Sequence, residues 1–196
     1  MRNFYISDTH FGHENSIRFD YNNGGRTFSS IEERDELIIN NINKVVMPQD
    51  NLYLLGDISW YTPEKTAELL QRINCKNLFL VLGNHDKIAK DGRCKKLFQG
   101  INDIKQINDN GRQVILCHFP IMMWNGQHRG VIHLYGHVHN TREQLDYKEF
   151  FHILNDRIAS RDGDRYRPIQ AYNVGCMLSY MDYTPRTLDE ILENTI

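Results

Sequence analysis

The 196-residue sequence has little of what marks secreted, membrane or nucleic-acid-binding proteins. Its four cysteines form no Cys-X-X-Cys pair and follow no regular spacing, which argues against a disulfide framework and a thiolate zinc site. The net charge of −2 and the pI near 6.5 are not typical of nucleic-acid-binding proteins, so only a local basic patch could bind nucleic acid. No apolar run is long enough to cross a bilayer, and the N-terminus does not fit a signal peptide. We therefore expect a soluble cytoplasmic protein with reduced thiols and no membrane partner.

No internal repeat, linker or low-complexity segment divides the chain, so we expect one domain over residues 1–196 with a sizeable core. Short apolar runs bounded by turn-prone residues are typical of strands. Such runs predict strands at Phe4–Ile6, Asn51–Leu55, Asn77–Leu82, Asp103–Ile107, Gln113–Cys117, Val131–Tyr135 and Ala171–Gly175. The Asp109-Asn110-Gly111 sequence between the fourth and fifth of these predicts a β-hairpin.

Capping signals predict where three helices begin. Ser29 with Glu32 forms a capping box for a helix that runs to about Val46. Thr62-Pro63 supplies the N-cap and first turn of a second helix, and Thr187 with Glu190 caps a short terminal helix. The basic segment Lys87–Gln99 is compatible with a helix. The stretch from Asn140 to about Arg167 is long and polar, with aromatic and apolar residues at Tyr147–Leu154 and a loop-like segment at 161–164.

Polar residues recur where the predicted strands end, and this recurrence is the main functional signal. Five strands deliver such residues: Asp8 and His10, Asp57, Asn84 and His85, His118, and His137 and His139. Ligands and metals gather at the carboxyl ends of strands in open α/β sheets. Residues spaced two apart on an extended segment point to one face, so Asp8 with His10, and His137 with His139, can each converge on one centre.

These side chains form a ligand set for divalent metal ions. Imidazoles and carboxylates with one amide oxygen suit Mn, Fe, Zn or Ni, and contain too much nitrogen for a dedicated Mg or Ca site. The number of candidate ligands exceeds the need of one ion, which predicts a pair of ions. A carboxylate commonly bridges such a pair, and Asp57 is the natural bridge because it stands alone at its strand end.

The ordered motifs resemble those of the calcineurin-like metallophosphoesterases, particularly the compact bacterial and phage members. The resemblance spans most of the chain and rests on Asp8-Thr9-His10, Gly56-Asp57, Gly83-Asn84-His85-Asp86, His118 and Gly136-His137-Val138-His139. It implies a four-layer α/β sandwich of two mixed β-sheets flanked by helices. The predicted alternation of strands and helices is compatible with that fold.

The resemblance also implies the role of each motif residue. One metal is assigned to Asp8, His10, Asp57 and His139, and the other to Asp57, Asn84, His118 and His137. His85 is then the catalytic histidine that does not bind metal. The implied activity is hydrolysis of phosphate esters by a hydroxide that bridges two divalent ions, with His85 donating a proton to the leaving oxygen or stabilising charge.

One position departs from the family pattern. Many relatives carry an acid three residues after the Gly-Asp carboxylate, where it orients the catalytic histidine, but this chain has Trp60 there. Asp86 is adjacent to His85, yet successive side chains diverge, so we interpret Asp86 as a turn residue that bonds its own loop. The sequence leaves the residue that orients His85 unidentified.

Several other residues have two interpretations. His13 could contact the substrate phosphate or merely cap its loop, and Arg26 could supply a cation for the substrate or be solvated. Trp60-Tyr61 could stack a ring, although aromatic residues beside a strand end more often close the core. We interpret His133 and His152 as packing residues and His128 as a surface residue.

The sequence therefore predicts a metal-dependent phosphoric ester hydrolase that acts on a small phosphate ester, of phosphodiester or nucleotide type. Manganese is among the metals expected. A nuclease is the alternative within the enzyme class, opposed by the acidic charge balance. A non-catalytic metal-binding scaffold on the same fold is the alternative from another class, but this chain keeps all the ligand candidates and His85. A structural single-metal site is disfavoured because closed zinc sites usually use thiolates.

Overall fold

Eight strands form two four-stranded sheets in the computed structural model, which describes residues 1–22, 24–162 and 167–194, with side chains given for all of these except 160–162. The first sheet has the order β1-β2-β3-β4 and the second β5-β6-β7-β8. The strands are β1 (Asn3–Ile6), β2 (Asn51–Leu54), β3 (Asn77–Val81), β4 (Phe98–Asn102), β5 (Ile104–Asp109), β6 (Arg112–Cys117), β7 (Ile132–Tyr135) and β8 (Ala171–Asn173).

Helices flank the sheets, which confirms the predicted α/β sandwich. They are α1 (Asn15–Asn22), α2 (Ile31–Val45), α3 (Pro63–Gln71), α4 (Gly92–Lys95), α5 (Arg142–Asp162) and α6 (Leu188–Asn194), with single 3₁₀ turns at Lys87–Lys90 and Gln127–Arg129. In the described part of the chain, no helix has the length and apolar character needed to span a membrane.

The two sheets differ in strand direction. All pairs in the first sheet are parallel, whereas the second combines the antiparallel β5–β6 hairpin with two parallel pairs. Only one of the two sheets is therefore mixed, where the sequence predicted two. The sheets meet at Ser7, whose N–H donates to Val174 O at 2.8 Å and whose carbonyl accepts from Cys176 N at 2.9 Å. This junction brings the carboxyl ends of both sheets to one edge of the molecule.

Two clusters of buried apolar residues support this edge. The larger cluster joins the strands of both sheets to α2, α3 and α6, and it includes Ile6, Leu54, Leu80 and Leu116. The smaller cluster lies under α5 and contains Tyr135, Val138, Tyr147, Phe151, Ile158 and Ile169. Burial of this apolar surface is the main favourable term for folding, and it fixes the ends of β2, β3, β6 and β7 beside one another.

Three predicted segments need correction. The cap of α2 is Ser30, which accepts from Glu33 N at 3.2 Å, because the same capping pattern occurs one residue later than Ser29 with Glu32. Lys87–Gln99 is not one helix; it contains a 3₁₀ turn, the four-residue α4 and the start of the edge strand β4. The polar stretch after Asn140 is mostly the 21-residue α5, and the predicted loop at 161–164 lies partly in that helix and partly outside the described residues.

Candidate metal centre

The predicted ligands follow directly after strands, as expected for an α/β site. Asp8 and His10 follow β1, Asp57 follows β2, and Asn84 follows β3, all in the first sheet. His118 follows β6, and His137 and His139 follow β7, in the second sheet. Because the two sheets meet at their carboxyl ends, ligands from both sheets share one centre.

The first group of side chains consists of Asp8, His10 and His139, whose ligand atoms all lie within 4.8 Å of one another. Asp8 Oδ1 is 3.8 Å from His10 Nε2 and 3.5 Å from His139 Nε2. Asp8 and His10 are buried, and His139 is partly buried. The arrangement surrounds a point that a single cation could occupy.

The second group consists of Asp57, His118 and His137, again within 4.8 Å of one another. His118 Nε2 is 3.5 Å from Asp57 Oδ2 and 3.3 Å from the side-chain oxygen of Asn84. Asp57 and His118 are buried, whereas His137 and Asn84 are exposed. This group is therefore open to solvent on one side, beside the half-exposed ring of Phe119.

Asp57 lies between the two groups. Its Oδ2 is 3.8 Å from His10 Nε2 of the first group and 3.5 Å from His118 Nε2 of the second. Its Oδ1 accepts the main-chain N–H of His85 at 2.9 Å. One carboxylate thus lies beside both groups and bonds to the loop that carries His85. Its role as a bridging ligand stays a prediction.

The backbone of the ligand loops is unusual. Asp8, His10, Asp57, His137 and His139 all have positive φ, between 48° and 70°. This left-handed region is uncommon for residues other than glycine and costs roughly 1–3 kcal/mol each when imposed by the fold. The convergence of Asp8 with His10 therefore arises from left-handed turns and not from an extended segment. His137 and His139 reach the same centre but belong to different groups within it.

Two glycines allow the ligand loops to approach this closely. A Cβ at Gly136 would clash with the side chains of Ser7 and Asp8, and a Cβ at Gly83 would clash with Asp57. The glycines in the Gly-His-Val-His and Gly-Asn-His-Asp motifs therefore make room for carboxylates from neighbouring strands.

The first group is held from behind by a buried ion pair. The guanidinium of Arg34 on α2 is fully buried, lies 2.8 Å from the carboxylate of Asp20 on α1, and donates to Thr9 O at 2.5 Å. Tyr183 also donates to Asp20 at 3.0 Å, and the thiol of Cys176 donates to Asp8 O at 3.1 Å. These bonds fix the main chain on both sides of Thr9 and hence the two ligands of that loop.

The second group is held mainly by Asp86. Its buried carboxylate accepts the main-chain N–H groups of Asp57, Ile58 and Gly83 at 2.9, 2.8 and 2.8 Å. The prediction that Asp86 only bonds its own loop was incomplete, because two of the three donors belong to the Asp57 loop. Asp86 therefore joins the loops after β2 and β3, and it does not orient the ring of His85.

His118 is oriented by main chain. Its Nδ1 lies 2.7 Å from Leu55 O, a distance at which Nδ1–H donates to that carbonyl. This bond leaves Nε2 to face Asp57 and Asn84. A ligating histidine commonly donates its other ring N–H in this way, which selects the tautomer.

The two ring nitrogens of His10 indicate that these residues fit divalent metal ions. His10 is 4% exposed, yet both of its ring nitrogens are buried without a hydrogen-bond partner in the described part of the chain. A buried polar group without a partner is costly, so such groups call for a bound ion or water. The unpartnered Nε2 faces Asp8 and Asp57, and imidazole with carboxylate is a ligand set for transition metals.

The charges of the centre favour a cation. Burial opposes ionisation of Asp8, but hydrogen bonding and the charges of His139, His118 and His10 lower its pKa to about 2. Burial also opposes ionisation of Asp57, yet the nearby imidazoles of His10 and His118 and the main-chain N–H of His85 hold its pKa below the usual range. Burial would lower the pKa of His118, but Asp57 and Asp8 raise it to about 9. Asp8 and Asp57 are thus held ionised, and their negative charge attracts a positive charge to the space between the imidazoles.

The predicted catalytic residue, His85, is exposed at the edge of the centre. In the described residues its ring makes no hydrogen bond and packs against Trp60, with ring centroids 4.7 Å apart. The same indole contacts His10 at 4.7 Å and stacks on His13 at 4.4 Å. At position 60, where the resemblance leads to the expectation of an acid, this chain therefore has an aromatic ring that contacts three imidazoles.

The two predicted substrate-binding residues have different surroundings. His13 lies beside His10 and Trp60, and its Nδ1 is buried without a partner among the described residues. Arg26 forms a two-bond ion pair with Asp182 at 2.7 and 2.5 Å, so its charge is already paired. A substrate contact by either residue stays a prediction, with the better surroundings at His13.

The remaining histidines partly match their predicted roles. His133 is fully buried in β7 and bonds to main chain, and its pKa is lowered to about 4 by burial. His128 is exposed, as predicted. His152 is not a packing residue, because its side chain is 77% exposed on α5 and lies 3.7 Å from Asp156.

The fold and the ligand set together define a metal-binding α/β-sandwich protein, and comparison with known proteins identifies its family. The profile of the family described as calcineurin-like phosphoesterase matches residues 1–169, so the chain belongs to that family. It is 36% identical over 173 residues to the uncharacterized protein MJ1445 of Methanocaldococcus jannaschii, covering 86% of this chain and 87% of that protein. The crystal structure of the protein of unknown function AQ665 from Aquifex aeolicus matches with a TM-score of 0.69, 28% identity and 98% coverage of both chains.

Family membership and the two groups of candidate ligands support a metal-dependent phosphoesterase. Divalent ions suit both groups: Asp8, His10 and His139, and Asp57, His118 and His137.

Proposed function

We propose that the protein hydrolyses phosphodiesters of nucleotide type with two divalent metal ions, one in each group of ligands. The observation that carries this proposal is the position of Asp57, whose one oxygen lies 3.8 Å from His10 Nε2 and 3.5 Å from His118 Nε2. A carboxylate shared by two groups is the arrangement of two-metal hydrolases. Mn, Fe, Zn and Ni are the metals that the donor set favours.

Asp8, His10 and His139 would hold one ion, and His118, His137 and Asn84 the other, with Asp57 common to both. When bound, such ions activate water at neutral pH and bind the phosphoryl oxygens. The residues of the chain would set the spacing of the ions, because Asp86 fixes the Asp57 loop and the Arg34 ion pair fixes the loop with Asp8 and His10.

His85 would supply the proton to the leaving oxygen. Its main-chain N–H is bonded to Asp57 Oδ1 at 2.9 Å, so the loop that carries the proton donor is tied to the carboxylate between the metal groups. The ring is exposed and hence accessible to a substrate bound at the open second group. Loss of such a proton donor typically lowers the rate by ~10²–10⁴-fold.

One assay series tests the proposal. The protein is reconstituted with Mn, Fe, Zn, Ni or Mg, and bound metal is measured by inductively coupled plasma mass spectrometry. Hydrolysis of bis(4-nitrophenyl) phosphate and 4-nitrophenyl phosphate is then compared for wild type and His85→Ala. We expect two ions per chain, faster cleavage of the diester, and a loss of ~10²–10⁴-fold in the variant with both ions retained.

Two results would overturn parts of the proposal. A His85→Ala variant that binds two ions and hydrolyses at the wild-type rate would remove His85 from the mechanism. A wild-type protein that binds the ions but cleaves neither esters nor nucleotides would instead support a metal-binding scaffold.

A further inference from the structure

We propose that a cleft beside His85 binds the leaving group of the phosphodiester, and that this leaving group is itself a nucleotide. The cleft would take an aromatic base, and the lysines next to it a further phosphate. The inference rests on the proposed function, because it takes His85 as the proton donor.

The cleft has a volume of about 330 Å³ and is lined mainly by Trp60, Tyr61, Pro63, His85, Lys87 and Ile88. Cavities of a few hundred Å³ with apolar walls and a few polar groups are typical small-ligand sites. This cleft lies outside the two groups of metal ligands, since none of its lining residues belongs to either group.

The position of His85 gives the cleft its role. A proton donor must lie within hydrogen-bond distance of the oxygen that leaves. The group attached to that oxygen must then extend into the space that the His85 ring borders. In this structure that space is the cleft, so the alcohol part of the ester is the part that would occupy it.

The walls of the cleft favour a flat, apolar group. Trp60 is 36% exposed, while its contacts with His10, His13 and His85 hold the indole in one orientation. The ring of Tyr61 packs on Gly12, where a Cβ would clash with it, and Lys65 Nζ lies 3.6 Å from the ring centroid. Aromatic walls that are fixed before binding suit the stacking of a base or another planar ring.

The charge beside the cleft favours a further anion. Lys87 also lines an adjoining cleft of about 480 Å³, together with Lys90, Lys95 and Asn84. In the described part of the chain the ammonium groups of these three lysines form no ion pair and no hydrogen bond.

The acidic and basic neighbours of the lysines are already paired. Asp86, which also lines the adjoining cleft, uses its carboxylate on three main-chain N–H groups, and nearby Arg93 is paired with Asp91 and Glu64. Three unpaired cations next to a candidate metal ligand are suited to a phosphate other than the one being cleaved.

The test compares two substrates that differ only at their ends. One is a thymidine dinucleotide without terminal phosphates, and the other is the same dinucleotide phosphorylated at both ends, so the direction of cleavage does not matter. Cleavage of the internal diester by the Mn²⁺-loaded full chain is followed by chromatography. We expect the phosphorylated form to have a kcat/KM at least about fivefold higher, as the attraction of one phosphate to a partly exposed cation would give.

Two variants and one control test whether the higher kcat/KM of the phosphorylated dinucleotide depends on the cleft. Lys87→Gln should reduce the ratio of the two kcat/KM values towards one, and Pro63→Glu should do the same by placing a carboxylate at the cleft. Glutamate is well tolerated at the first position of a helix, where Pro63 lies, so this second variant should fold. Lys148→Gln, at an exposed position on α5, should leave the ratio unchanged. Circular dichroism and metal content confirm that each variant is folded and loaded.

A third substrate tests the aromatic part. This substrate is the phosphorylated dinucleotide without its two bases. It should be cleaved at least about fivefold more slowly than the phosphorylated thymidine dinucleotide, on the scale of one lost stacking contact. Equal rates for these two phosphorylated substrates would overturn the role of the aromatic walls.

Equal kcat/KM for the first two substrates, or a ratio that Lys87→Gln and Pro63→Glu leave unchanged, would overturn the proposed phosphate contact. In either case hydrolysis of bis(4-nitrophenyl) phosphate would still support the proposed function; a protein that cleaves no ester would overturn both.

Discussion

The two halves of the candidate metal centre use the same types of side chain but are held in different ways. Asp8, His10 and His139 form the more closed half, supported by the buried Arg34–Asp20 ion pair. Asp57, His118 and His137 form the more open half, supported by Asp86 and the carbonyl of Leu55. The comparison suggests a division of roles: a closed group that retains its ion, and an open group that meets the substrate.

The largest effect is expected from removing the ligand common to both halves. Asp57→Asn keeps the size of the side chain and an acceptor for His85 N–H, but loses the charge that both groups share. We expect loss of the two-ion state and a drop in diester hydrolysis of at least about 10²–10³-fold, the scale of removing one major electrostatic group. Metal content by mass spectrometry and the chromogenic assay measure both effects, with Asp103→Asn at an exposed position as the control. Two tightly bound ions in Asp57→Asn would show that this carboxylate does not bridge.

The next largest effect is expected at the support of the closed half. Arg34→Met leaves the buried carboxylate of Asp20 without its cation, and breaking one side of a buried pair costs about 3–5 kcal/mol. Urea unfolding of the metal-free protein measures the loss. The double variant Asp20→Leu with Arg34→Met should recover part of it, because no unpaired charge remains. A loss below about 1 kcal/mol in the single variant would mean that the ion pair does not stabilise this half.

A smaller effect is expected at the support of the open half. In Asp86→Asn the amide nitrogen cannot accept, so at least one of the three main-chain N–H groups loses its partner, at a cost of about 1–3 kcal/mol. We expect the ion of the open half to bind about 10–100-fold more weakly, with the ion of the closed half retained. Titration calorimetry with Mn²⁺ separates the two events. Equal weakening of both ions would contradict separate supports for the two halves.

The smallest effect, and a reversible one, is expected from a ligand on the open side. His137 is exposed, so free imidazole should enter the space left by His137→Gly and restore part of an approximately tenfold loss of activity. The matched variant His10→Gly removes a buried imidazole that solvent reaches poorly. Free imidazole should therefore not restore the activity of this variant. Rescue of both variants to the same extent would show that the two halves are equally accessible.

Much of this centre could be predicted from the sequence, because its ligands are encoded locally. Each motif combines an apolar run with a turn and a ligand, and the structure places the six other predicted ligands at strand ends around Asp57. The terminal capping box was also predictable: Glu190 accepts Thr187 N–H at 2.8 Å, and α6 follows. Both are short-range patterns in which one residue type has one physical use.

The supports of the centre could not be predicted, since they depend on contacts between distant segments. The carboxylate of Asp86 reaches the main chain 29 residues earlier, and Arg34 joins three segments only after α1 and α2 have packed. Strand β4 was missed because it is a half-exposed edge strand that contains Gly100. Helix α5, by contrast, has a helical stripe at Tyr147, Phe151, Leu154 and Ile158 that the sequence does contain. Exposed apolar residues outside that stripe, namely Leu145, Phe150 and Ile153, and the many polar residues around them concealed the pattern.

Trp60 gives the protein an internal optical reporter. The chain has two tryptophans, and only Trp60 touches a candidate ligand, with its ring 4.7 Å from that of His10. Trp124 instead packs against His133 and Phe151 beneath α5. Paramagnetic ions such as Mn²⁺ quench fluorophores at short range. Binding of Mn²⁺ to the closed half should therefore reduce the fluorescence of Trp60 and leave that of Trp124 unchanged. In a Trp124→Phe variant the remaining emission would follow metal occupancy directly, without any added label.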